Sequence, residues 1–138
     1  MKKFIILIFV FSLVAHAPSS WACSCTPSGT KSVAEELANA SYVFTGKYAE
    51  VITEVYDEHN KMREYVAHYE FEVDDVWKGD LHGTINMSAP NSAPCQRGFA
   101  DGEEYLVFAT ELQYVGVCSR TKLLSQASDD IEQLNKMK

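Results

Sequence analysis

The residues best suited to chemistry are Cys23-Ser24-Cys25-Thr26-Pro27. They follow Ser20-Trp21-Ala22, a small-residue pattern whose cleavage would free Cys23 as a new first residue. If both cysteines are bridged to the body, the first three positions are held rigidly and Pro27 stiffens the exit. An α-amino group with an ordinary pKa of about 7.7–8.0 gives up its proton to a metal at neutral pH. The Cys23 nitrogen and carbonyl oxygen can then close a five-membered chelate. A catalytic zinc with three protein ligands keeps its fourth position for water. A terminus of this kind can occupy that position and displace the nucleophile, with the small Ser24 side chain directed toward the pocket beside the metal. One extra residue ahead of Cys23 would abolish the chelate.

Catalytic chemistry has little support elsewhere. His59, His68 and His82 lack a second histidine at ligand spacing, and no zinc-protease helix motif or serine elbow occurs. All three read as surface histidines. Glu70, Glu72, Asp74 and Asp75 read as the solvated face of a strand, because calcium cages need a glycine-bearing loop that is missing here. Asn39 and Asn86 each begin an N-x-S sequence, which matters only in a host that glycosylates exported proteins.

The rest of the chain must position the Cys23 segment. Lys2 and Lys3 precede an uncharged run, Phe4 to Ala15, and small residues then lead to Ala22. This order predicts an export signal over residues 1–22, and the run is shorter than the roughly 20 residues of a membrane span. Ala15-His16-Ala17 is a competing cleavage site, but Pro18 would follow the cut and is a poor substrate position. Lipidation of Cys23 is a third reading; the polar Ser20 stands where that signal wants a branched apolar residue. Residues 23–138 then form one small domain. The signal carries two of the 12 basic residues and none of the 19 acidic ones, so the remainder has a formal charge of −9. Such a surface repels phosphate backbones and argues against a nucleic-acid partner. Cys23, Cys25, Cys95 and Cys118 all lie in the exported part, an even count that reads as two disulfides. A four-thiolate zinc site is the alternative, although the paired spacings of zinc ribbons are absent.

Periodicity supplies the elements. Ser32 and Glu35 have capping-box spacing, and Val33, Leu37 and Ala40 share a helical face, so a short helix is predicted over 32–40. From Tyr42 the period is two, and the apolar phase slips from Tyr42, Phe44, Gly46 and Tyr48 to Ala49, Val51, Thr53 and Val55. A slip beside a glycine predicts a bulge in a long, bent strand. After a turn over 57–62, Tyr65, Ala67, Tyr69, Phe71 and Val73 mark a half-buried strand. Thr84 to Met87, Glu104 to Thr110 and Gln113 to Cys118 are predicted as further strands. Ala89 to Gly98, with Pro90, Asn91 and Pro94, is a loop. Leu124, Ala127, Ile131 and Leu134 predict a C-terminal helix, with Asp129 and Asp130 near its start. The expected fold is mainly β: a five-stranded, closed or nearly closed antiparallel barrel flanked by two helices. Closure would remove sheet edges, and an open sandwich is the rival.

The Cys-Ser-Cys-x-Pro start resembles the N-terminal domain of the tissue inhibitors of metalloproteinases, within the netrin-like group of OB-type barrels. Val43-Phe44-Thr45-Gly46-Lys47, Val76-Trp77-Lys78-Gly79, Cys95, Gly102-x-x-Tyr105-Leu106-Val107-Phe108-Ala109 and Cys118-Ser119-Arg120-Thr121 follow in the family's order. The resemblance implies bridges Cys23–Cys95 and Cys25–Cys118, each worth about 4–5 kcal/mol in the chain-entropy model. It also implies a contact ridge of Ser24, Cys25, Thr26, Pro27, Ala93, Pro94 and Cys95, preordered so that less entropy is lost on docking. The implied function is inhibition of an extracellular zinc metalloprotease by a secreted monomer without enzymatic activity or a cofactor of its own, the zinc being the target's. The family's second domain is missing. So is one disulfide of its first domain, leaving the tie between the two helices to apolar packing. A non-inhibitory netrin-like binding module and a lipoprotein anchored at Cys23 are the competing expectations, since fold does not fix function.

Overall fold

The computed structural model describes Cys23, Cys25 and residues 31–59, 61–90 and 92–138. The expected export signal over 1–22 and the ridge residues Ser24, Thr26 and Pro27 lie outside the described residues.

Helix α1 (Val33–Asn39) starts where the capping box requires. The Glu35 N–H donates to Ser32 Oγ at 3.2 Å, and Ser32 N–H donates back to Glu35 Oε2 at 2.8 Å. The Ser32 N–H and, second to it, the Ser32 hydroxyl, which donates to Oε2 at 3.0 Å, hold the exposed Glu35 carboxyl below the usual range. At the other end, Lys78 Nζ donates to the carbonyls of Leu37 and Ala38, which the helix leaves unpaired.

The strands are β1 (Tyr42–Asp57), β2 (Met62–Lys78), β3 (Thr84–Met87), β4 (Glu104–Ala109) and β5 (Lys122–Leu123). They form one antiparallel sheet in the order β3-β2-β1-β4-β5, loosely compatible with an OB-type arrangement. The expected bulge is present: the β1–β2 register shifts on both sides of Phe44, leaving Thr45 without a β2 partner before Gly46. Thr45 Oγ1 instead accepts the Asp75 N–H at 3.1 Å. Gly46 is required by proximity, since a Cβ there would lie 2.7 Å from the Glu72 carbonyl oxygen.

β4 is buried on both faces and divides the core. Tyr105, Val107 and Ala109 join Phe44, Tyr48, Phe71, Leu81 and Val115 inside the curl of the sheet. Phe71 is the hub there, with Phe44, Tyr48, Phe99 and Tyr105 rings edge-on around it. Leu106 and Phe108 point the other way, joining Val43, Val33, Ala40, Ala127 and Leu134 under the two helices. Helix α2 (Ser128–Met137) follows a single 3₁₀ turn, Leu124–Gln126.

Three expectations need correction. The sheet does not close into a barrel: no ladder joins β3 to β5, because β5 is only two residues long. Residues 113–118 are not a strand of the sheet. They lie across the gap instead, with Gln113 O accepting the Ser88 N–H at 3.4 Å and Val115 entering the core. Third, the strand containing Tyr65 is half-buried from Ala67 onward, at Ala67, Tyr69, Phe71 and Val73 as expected, but its first five residues, Tyr65 included, are exposed. β3 pairs with residues 69–72 and β4 with residues 42–47, so among the described residues no further strand pairs with the hairpin beyond them. That two-stranded arm carries seven of the eight exposed large hydrophobic residues among those described, including Ile52, Tyr56 and Tyr65.

Candidate functional site

The segment 113–118 gains its role from the loop opposite. Arg97 N–H donates to Val115 O at 2.6 Å and Val117 N–H donates to Cys95 O at 2.9 Å. These bonds, with the Gln96–Gly116 bridge, make a short antiparallel platform from two irregular segments. Each arm of the platform carries one cysteine, and each cysteine receives one from the start of the chain. Cys23 is bonded to Cys95 with Cα atoms 5.5 Å apart, and Cys25 to Cys118 with Cα atoms 5.3 Å apart. All four cysteines are exposed, as is Pro94, while Ala93 is half-buried.

The loop of Ala93, Pro94 and Cys95 is braced from beneath. Gln96 is buried, and its Oε1 accepts both Ser92 Oγ–H at 3.0 Å and Ala93 N–H at 3.3 Å. Tyr114 Oη donates to the Pro94 carbonyl at 2.9 Å. Cys95 itself has φ +59, a left-handed conformation disfavoured for a residue with a side chain by roughly 1–2 kcal/mol. A surrounding structure that fixes the loop this firmly is what holds such a residue in place.

The platform is also tied to both helices. Arg120, two residues past Cys118, is a half-buried cation whose Nε and Nη2 donate to Asp130 at 2.7 and 2.8 Å. Lys122 Nζ lies 2.9 Å from the same carboxylate, whose side chain is 3% exposed. Burial pushes the Asp130 carboxyl up, but the bonds from Arg120 and Lys122 outweigh it and hold the group below the usual carboxylate range. Arg120 is raised chiefly by the same bonds to Asp130. Its backbone N–H donates to Glu36 Oε1 on α1 at 3.3 Å, and its Nη1 to the Lys31 carbonyl at 2.8 Å. Apolar packing of Val33 and Leu37 against Ile131 and Leu134 is therefore not the whole tie between the helices.

The remaining candidates stand apart from this region. His59, His68 and His82 are exposed; His82 Nε2 is 2.9 Å from Asp80 Oδ1, itself exposed. Glu72, Asp74 and Asp75 are exposed and Glu70 is half-buried. Among the described residues, no three His, Cys, Asp or Glu side chains converge as a metal-ligand group. No helix among them is long and apolar enough to cross a membrane.

Sequence reasoning missed Gln96, Tyr114 and Glu36, and met Arg120 only as part of a motif. Gln96 sits in a loop without periodicity, and the strand-like alternation of 113–118 gives Tyr114 no sign of its partner in that loop, so nothing local marked either as a brace. Compared with models of known protein families and with curated proteins, the chain matches none.

Proposed function

We propose that the chain is an exported inhibitor of zinc endopeptidases which, once residues 1–22 are removed, acts through the free amine and carbonyl of Cys23. One observation carries this reading: two exposed cysteines, Cys23 and Cys25, are bridged to opposite arms of a single braced platform. A terminus fixed at both cysteines loses little freedom on binding, which is the condition for a two-atom chelate to be effective. The Ala93–Pro94–Cys95 loop, exposed at Pro94 and Cys95, supports it as the second half of a contact ridge. The mainly β sheet is loosely compatible with the OB-type fold of the netrin-like group, which the Cys-Ser-Cys-x-Pro start resembles. On this reading the chain has no catalytic group and no cofactor of its own. The zinc belongs to an extracellular protease, and the inhibitor works as a monomer.

The first test is N-terminal sequencing and intact mass of the exported protein, followed by assays against a panel of zinc endopeptidases. A start at Cys23, no added lipid and inhibition of at least one protease are expected. A start at Pro18, or an acylated Cys23, removes the chelating amine and overturns the mechanism.

A second reading, a binding module without inhibitory activity, is favoured by the uncovered apolar arm formed by β1 and β2. It predicts a bare Cys23 amine with every protease in the panel fully active.

A further inference from the structure

Lys31 follows Cys25 by six positions, and Arg120 follows Cys118 by two. Cys25 is bonded to Cys118, and the Lys31 carbonyl accepts from Arg120 Nη1 at 2.8 Å. The span from Cys25 to Lys31 is therefore fastened at both ends to the same three residues, once by a covalent bond and once by a charged donor.

The second fastening depends on the fork geometry of the guanidinium. Nε and Nη2 are engaged by the two oxygens of Asp130, which aims the remaining donor, Nη1, at Lys31. Asp130 is itself fixed, buried on α2 and paired with Lys122. Holding α2 against the sheet does not need the Lys31 bond, since Lys122 and the apolar contacts of Ala127 and Leu134 already serve that purpose. The bond to Lys31 has a separate consequence: it restrains the chain that leads from the bridged cysteines into α1.

We propose that Arg120, oriented by Asp130 of the C-terminal helix, is a positioning residue for the Cys23 terminus: by pinning Lys31 it limits the poses open to the bridged Cys23 and Cys25. The consequence for inhibition rests on the reading of Cys23 given above, whereas the anchoring does not.

Two variants of the exported, processed protein test this. Arg120→Lys keeps a cation for Asp130 but cannot reach Lys31 as well; Arg120→Met removes both. Hydrogen–deuterium exchange is followed in peptides covering 23–32, β4 and α2, alongside the thermal midpoint and the inhibition constant for a zinc endopeptidase sensitive to the wild type. In Arg120→Lys, exchange over 23–32 is expected to rise about tenfold, the effect of losing one charge-assisted hydrogen bond, with β4 unchanged. Inhibition weakens by a comparable factor. Arg120→Met adds faster exchange in α2 and a lower midpoint. Unchanged exchange over 23–32, or an equal rise in β4, overturns the anchor. Faster exchange over 23–32 with an unaltered inhibition constant overturns its role in inhibition. If the wild type inhibits no zinc endopeptidase, the inhibitory reading falls and the exchange data alone decide the anchor.

Discussion

Arg120 holds Asp130 through two parallel hydrogen bonds, Nε to Oδ2 at 2.7 Å and Nη2 to Oδ1 at 2.8 Å, ten residues apart in sequence. The pair joins the segment after Cys118 to the C-terminal helix.

Removing the acid leaves two cations facing a buried space. Asp130→Ala is expected to destabilise the protein by about 2–4 kcal/mol, below the full cost of breaking a buried pair because Arg120 and Lys122 keep some access to water. Urea unfolding checks this: the midpoint should fall with the slope unchanged.

The same pair sets an acid limit. Asp130 titrates below its unfolded value, so the unfolded chain takes up the proton first as pH falls. Its contribution is complete above the unfolded pKa of about 3.9 and is lost as pH drops through the lower folded value. Stability measured between about pH 6 and pH 2.5 should therefore decline less steeply in Asp130→Asn than in the wild type. Parallel curves would assign the acid limit to other carboxylates.

Much of the fold was legible because local chemistry and tertiary need agree. Ser32 and Glu35 marked a helix start that the backbone adopts, and Gly46 marked a real bulge, although the register is regular at the Tyr48–Ala49 phase slip itself. Asp130 was read as a charge near a helix start, but it is buried, because its partners lie in a segment that periodicity does not place beside it. Residues 113–118 alternate like a strand, yet their partner is the loop around Cys95, which no local pattern shows. The cysteines that define the candidate site were visible at once; the residues that brace them were not.

Gly46 gives a sharp test of the bulge. Its missing Cβ leaves room for a backbone carbonyl, which cannot move aside as a flexible side chain could. Gly46→Ala should destabilise by about 1–3 kcal/mol, the range for overpacking, although alanine is otherwise the better residue in regular structure. A neutral result in thermal unfolding would show that the strand shifts without cost.

The β1–β2 arm should be separable from the core. Ile52 and Tyr65 are 64% and 70% exposed, so Ile52→Thr and Tyr65→Thr are expected to change stability by no more than about 0.5 kcal/mol. Phe71 is fully buried at the centre of four rings, and Phe71→Ala should cost about 3–5 kcal/mol. Denaturant midpoints of the three variants, measured together, make the comparison.

The inhibition constant of protein beginning at Cys23, set against the same protein with one alanine ahead of it, tests the central claim most directly. Both forms should keep the two bridges and the same unfolding midpoint, while the extended form loses potency by about a hundredfold or more, equivalent to roughly 2.8 kcal/mol. Equal potency of the two forms against a sensitive zinc endopeptidase would contradict the account, because the amine of Cys23 would then not be what meets the metal.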